Sequence, residues 1–219
     1  MQFLKLHTNL LLVPSFALLA ACGGGDLTSI EVELTSSERA TALLNAAEDT
    51  AAFIDGANVT DVENLPLDAP VQYSGAFVAA GGEGALEANP LVAYLGELDL
   101  EADFNTGDIS GTATNFINIE NPGAFLDEDA DPTIGSDVTG TLDIAGTPSS
   151  DTLALFDITV DGDLSADDNT SNLGFDFIAG ELAVSGANAE ALFLEGGSDD
   201  GVIFNEVAGW LSYGGIAAQ

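Results

Sequence analysis

Oxygen ligands at every second position are what a calcium loop requires, and two stretches have that spacing: Asp127-Glu128-Asp129-Ala130-Asp131 and Asp161-Gly162-Asp163-Leu164-Ser165-Ala166-Asp167-Asp168. The candidate metal ligands are Asp127, Asp129 and Asp131 in the first and Asp161, Asp163 and Asp167 in the second. A calcium loop also needs glycine at its sixth position and glutamate at its twelfth. Pro132 and Ala166 occupy the sixth positions here, and Val138 and Asn172 the twelfth. Solvated acidic loops are therefore the expected reading, with calcium as the alternative and no other cofactor.

The remaining reactive side chains are few. Lys5 supplies a short positive region, Leu10 to Leu19 an apolar one, and Leu19-Ala20-Ala21-Cys22 a cleavage site with small residues before the cysteine. The apolar stretch falls short of the roughly 20 residues of a spanning helix. Residues 1–21 read as a lipoprotein signal peptide, with lipidation of Cys22 expected. Gly23-Gly24-Gly25 behind the thiol makes a poor helix and a good tether.

Cleavage removes Lys5 and the only histidine, His7, leaving Arg39 as the one basic side chain against 37 carboxylates. Such a chain repels phosphate, so nucleic acid is not an expected partner, while neutral and cationic ligands remain open. Zinc sites built from His and Cys cannot form once Cys22 is blocked by lipid. Hydrolysis with an imidazole base lacks its base, and phosphoryl transfer lacks the cations that neutralise developing charge. A carboxylate pair suffices for glycoside hydrolysis, but in a chain this acidic the presence of pairs carries almost no information. The expectation is a protein that is not an enzyme.

What must position these groups is legible as periodicity. Ser36 or Ser37 can cap a helix of about three turns over Glu38 to Glu48, with Ala42, Leu43, Ala46 and Ala47 forming one weakly apolar face. Asn58 to Pro70 reads as a linker. From Val71 the period changes to two: Leu98, Leu100, Ala102 and Phe104 alternate with Glu97, Asp99, Glu101 and Asp103. Asn105-Thr106-Gly107 turns the chain into a second strand over Asp108 to Ile119. Counting Val71–Ala80, the segments around Val138 to Ile144 and Phe156 to Leu164, then Leu173–Ser185, Ala189–Glu195 and Val202–Ala217, about eight strands emerge. Burying unpartnered carboxylates in so narrow a lumen costs several kcal/mol each, so the acids must face outward. The expected fold is all-β, an eight-stranded antiparallel soluble β-barrel over residues 71–219. Residues 22–70 form a lipidated tether, short helix and linker.

The succession Leu65-Pro66, Tyr73-Ser74-Gly75, Ala102-Asp103-Phe104-Asn105-Thr106-Gly107 and Ser110-Gly111-Thr112-Ala113-Thr114-Asn115-Phe116 resembles the barrel module of the transferrin-binding protein B family. It is also similar to factor H binding protein. Ser185 to Glu190 and Glu206 to Trp210 are alternative placements, both similar to the family's glycine-and-acid closing pattern, and Gly215 to Ala218 is similar to its last strand. The resemblance implies a Gram-negative surface lipoprotein whose barrel is a scaffold, with binding done by loops or a companion domain. The segment before Pro66 is too short for that companion, so transferrin binding is not carried over. Some relatives capture haem, for which Tyr73, Tyr94 and Tyr213 are the available side chains, although strand tyrosines are ordinarily core residues. Trp210 likewise reads as barrel packing.

Together these features describe an outer-membrane, lipid-anchored, non-enzymatic binding or interaction module on the cell surface. Its partners are the bilayer, through Cys22, and an unknown surface protein or small ligand held by loops, with Asn121 to Asp137 the strongest loop candidate. A structural envelope lipoprotein without soluble ligand is the alternative reading, and a carboxylate-dependent glycosidase the third.

Overall fold

The computed structural model describes residues 34–83, 90–123, 132–166, 172–198, 202–204 and 207–219, with the backbone alone at 203, 207 and 208. Among these residues one α-helix, α1 (Ser36–Gly56), and a 3-10 turn at Val62–Asn64 precede nine strands: β1 (Val71–Glu83), β2 (Val92–Asp103), β3 (Asp108–Ile119), β4 (Ile134–Pro148), β5 (Leu155–Ala166), β6 (Asn172–Ser185), β7 (Ala191–Ser198), β8 (Ile203–Phe204) and β9 (Val207–Ala218). Each strand from β1 to β6 pairs antiparallel with the next, and β9 pairs with both β7 and β1, closing the sheet. The short β8 lies between β6 and β9 as β7 does, through Leu173↔Phe204 and Phe204↔Val207. It continues the position of β7, so the closed sheet is an eight-stranded barrel, and the segment expected as one strand over Val202–Ala217 is two.

Alternation decides which side chains fill it. Tyr73 and Phe77 of β1, Leu98, Leu100 and Ala102 of β2, and Phe156, Ile158 and Val160 of β5 belong to one buried interior cluster. Glu97, Asp99 and Glu101 alternate with the β2 set and point out, so apolar residues are inside and acids outside. That is the reverse of a barrel that spans a membrane. Eight strands enclose just enough space for side chains, and each fully buried Leu or Phe contributes about 1.5–3 kcal/mol.

Register shifts interrupt the pairing of β2–β3, β3–β4 and β5–β6, and the bulges in the first and last of these pairs break the alternation. Leu95 and Glu97 of β2 pair with Ile117 and Thr114 of β3, and Val160 and Gly162 of β5 with Ile178 and Phe175 of β6. In each case the second strand holds one extra residue, and a non-glycine sits there in the left-handed region: Asn115 at φ 52° and Phe177 at φ 49°. Continued unbroken, the pattern Ile109, Gly111, Ala113 would carry Ile117 and Ile119 inward. The bulge keeps Phe116 inside and turns Ile117 and Ile119 to the outer wall.

The helix covers them. Ala40 packs with Ala76, Ala93, Leu95, Ile117 and Ile119, joined by the half-buried Leu43, Leu44 and Ala47. The face expected from Ala42 and Ala46 is exposed instead, because a 3.6-residue period aligns 40, 43, 44 and 47. The helix is also longer than the expected three turns, 21 residues, and its cap is Thr35. The Thr35 hydroxyl accepts from the Glu38 amide while the Glu38 carboxylate accepts from the Thr35 N–H, a reciprocal box set by the Thr-x-x-Glu spacing. Arg39 and Ser36 both bond Asp137 of β4, tying the start of the helix to the wall.

Residues 58–62 are not a free linker. Thr60 donates its N–H to Val184 O at 2.9 Å and its hydroxyl to Gly186 O at 2.7 Å, and accepts from Ala154 N at 2.8 Å. Leu65 then packs against the interior cluster. Tyr73 Oη and Gln219 Nε2 both donate to Ala189 O, at 2.7 and 2.6 Å. This end of the barrel is sealed by the chain itself, and the β2–β3, β4–β5 and β6–β7 turns lie there.

Candidate binding surface

Of the residues singled out for chemistry, Cys22, Asp127, Asp129, Asp131 and Asp167 lie outside the described residues. Asp161 and Asp163 stand in β5, opposite Asp143 and Thr141 of β4. Asp161 Oδ1 accepts the Phe177 N–H at 3.4 Å and so sits against the second bulge. Among the described residues no three acidic, histidine or cysteine side chains converge as a metal site.

The three tyrosines are interior residues. Tyr73, Tyr94 and Tyr213 all belong to the core cluster, and Tyr213 stacks on Phe77 with centroids 5.6 Å apart and planes 16° from parallel. Gly180 of β6 and Gly196 of β7 lie in register with Tyr213, and a Cβ at either would collide with its hydroxyl. The ring thus covers two glycines from inside, supplying the packing they lack. Burial pushes the Tyr73 hydroxyl up to about 12, against the smaller opposing effect of the Gln219 hydrogen bond. Burial likewise pushes Tyr213 up.

The outer wall has two unlike halves. On β1–β3 the strand carboxylates face neutral donors: Ser74 Oγ donates to Asp99 at 2.8 Å, Asn115 Nδ2 to Glu97 at 2.6 Å, and Gln72 Nε2 to Glu101. Asp103 does face Asp108 at the hairpin end, but there it accepts the N–H groups of Asn105 and Thr106. On β4–β7 carboxylates face carboxylates. Asp143 is the register partner of Asp161, and Asp157, Glu181 and Glu195 form a row across three strands. Among the described residues no hydrogen-bond donor or cation meets Asp143, Asp157, Glu181 or Glu195.

A shallow depression of about 370 Å³ opens on this half, lined by Ala179, Glu181, Glu195, Gly197 and Ser212 over the glycines that Tyr213 covers. At the bulge end of the same strand Phe177 is 68% exposed. A bulky residue in the left-handed region is strained, and an exposed ring there gains no burial in return. A second, smaller notch lies between α1 and the β7–β9 end, lined by Asp49, Phe53, Glu190 and Ala218.

The wall was not read from the sequence, because alternation assigns faces and not cross-strand register. The signal for Phe177 was present in Phe175-Asp176-Phe177-Ile178, where the period of two breaks.

The sequence matches no protein-family model and no curated protein. Among solved structures the chain is similar to a single mutant of the vaccine antigen transferrin-binding protein B from Haemophilus parasuis Hp5. The TM-score is 0.45 at 14% identity, over 74% of this chain and 28% of that one. It is also similar to a double mutant of the same antigen, with TM-score 0.45 at 12% identity over 74% and 27%. The chain thus spans little more than a quarter of those structures.

Proposed function

We propose that this chain is a non-enzymatic binding module, anchored to the outer membrane of a Gram-negative bacterium through lipid on Cys22, with the barrel as a rigid scaffold. The observation that carries the reading is that, among the described residues, the barrel is filled and one of its ends is sealed. Side chains fill the interior, and residues 58–65 close the end where β2–β3, β4–β5 and β6–β7 turn. Recognition is therefore assigned to the outside and to the connections at the opposite end, where β1–β2, β3–β4 and β5–β6 join. The β3–β4 connection, within Asn121 to Asp137, is the strongest of these. Its far boundary needs correction as a target for deletion: β4 begins at Ile134, and Asp137 holds Arg39 and Ser36 of α1. Residues 124–131 are the segment to replace.

The test is cross-linking on intact cells, comparing the native chain with one whose residues 124–131 are replaced by a Gly-Ser segment. Loss of a cross-linked partner with an unchanged melting curve supports the reading. Capture unaffected by the replacement assigns recognition elsewhere, and an absence of any partner or co-purifying ligand favours a structural envelope role. Cys22→Ser should release the protein from the membrane fraction; retention there would remove the anchor from the proposal.

A further inference from the structure

We propose that the β4–β7 half of the outer wall is a docking surface for a lysine- or arginine-bearing segment of a partner protein, with Glu181, Glu195 and Phe177 as its main contacts. This rests on the binding-module reading and adds a site and a partner chemistry to it. Like charges directly opposite on neighbouring strands destabilise a sheet. On β1–β3 the chain avoids that by placing Ser74, Gln72 and Asn115 against its carboxylates. On β4–β7 it sets Asp143 against Asp161 and Glu181 between Asp157 and Glu195. The one ion pair among the described residues is Arg39 with Asp137, at the helix, so no cation among them is placed to relieve this wall.

A partner's cations would do so, and the rest of the wall fits their side chains. Neighbouring strands are about 4.8 Å apart, so the Asp157, Glu181 and Glu195 row spans roughly 10 Å. Phe177, Ala179 and Glu181 follow one another on one face of β6, about 13 Å from first to last at 3.3 Å per residue. The small residues Ala179, Gly197 and Ser212 floor the depression between aromatic and acids. A long basic side chain can lay its methylenes on such a floor, its head on carboxylates, and a second head against the exposed ring. Phe177 is held in a strained conformation, exposed, beside Asp161. An anionic bilayer or nucleic acid is repelled by the same charges.

The test uses the full chain and a fluorescein-labelled hexa-arginine peptide, read by anisotropy in 0.15 M NaCl, a salt concentration of physiological order. Glu181→Gln with Glu195→Gln should weaken binding about tenfold, the range reported for losing a close charge pair. Glu97→Gln with Asp99→Asn removes the same charge from the other wall and should change it less than about twofold, as for a distant exposed charge. Phe177→Gly should weaken binding several-fold while the melting temperature holds or rises, which separates loss of contact from loss of fold. Equal weakening by the two charge pairs, or no binding by the native chain, overturns the proposal. Neither outcome touches the module reading, because partner capture lost on replacing residues 124–131 would stand independently.

Discussion

Phe177 and the buried tyrosines show how single residues set measurable properties of this barrel. Phe177 sits at φ 49° with its ring in solvent, so glycine, which adopts that conformation without strain, should stabilise the fold by about 1 kcal/mol. A thermal melt of Phe177→Gly displaced downward would mean that the ring contributes packing after all. Tyr73 titrates in the unfolded chain near 10 and in the fold at about 12. Between those values the unfolded chain has lost the proton that the folded one keeps. Stability is therefore fully present below pH 10 and falls by about 1.4 kcal/mol per pH unit up to pH 12. Tyr73→Phe should shrink that alkaline loss in urea titrations at pH 9 and 11, at the cost of about 1 kcal/mol at neutral pH for the lost bond to Ala189. Leu100→Asp, by contrast, places a charge in the filled interior and should unfold the domain, whereas Asp99→Ala on the outer face should change the melt little.

At the scale of elements, α1 depends on a few contacts that can be removed one at a time. Thr35→Ala deletes half of the capping box and should cost about 1 kcal/mol of local helix stability. Leu43→Asp with Leu44→Asp should lift the helix from β1–β3, seen as faster amide exchange over residues 36–56 with the strands still protected. The uncovered Leu95, Ile117 and Ile119 should then bind a hydrophobic dye. If the strands lost protection together with the helix, α1 would be an integral part of the barrel's cooperative unit. The strands themselves were legible because Glu97 to Phe104 and Phe156 to Leu164 alternate cleanly, and so was the direction of their faces, because carboxylates without cations cannot fill a narrow lumen. The outward turn of Ile117 and Ile119 was not. It depends on one extra residue against β2, a relation between strands, and its local trace is only the adjacent Phe116-Ile117. Asn58 to Pro70 read as a linker for the same reason: its partners, Ala154, Val184 and Gly186, are distant in sequence.

For the molecule as a whole, a net charge far from zero opposes the compact state through self-repulsion. The chain carries 37 carboxylates against two basic side chains, and its pI is about 4.1. With the acids on the outer wall, folding brings like charges together that the unfolded chain keeps apart, and the β4–β7 wall does so most directly. At 0.01 M salt such charges act over about 30 Å, the breadth of a small domain, and at 1 M over about 3 Å, less than the spacing between strands. The melting temperature should therefore rise steadily between those concentrations. Glu181→Gln with Glu195→Gln should raise it most at the low-salt end and hardly at all at 1 M, since added ions then screen the repulsion that the substitution removes. A rise independent of this pair would place the dominant repulsion elsewhere on the wall. A melting temperature indifferent to salt would mean that like-charge repulsion on the wall does not limit the stability of the fold.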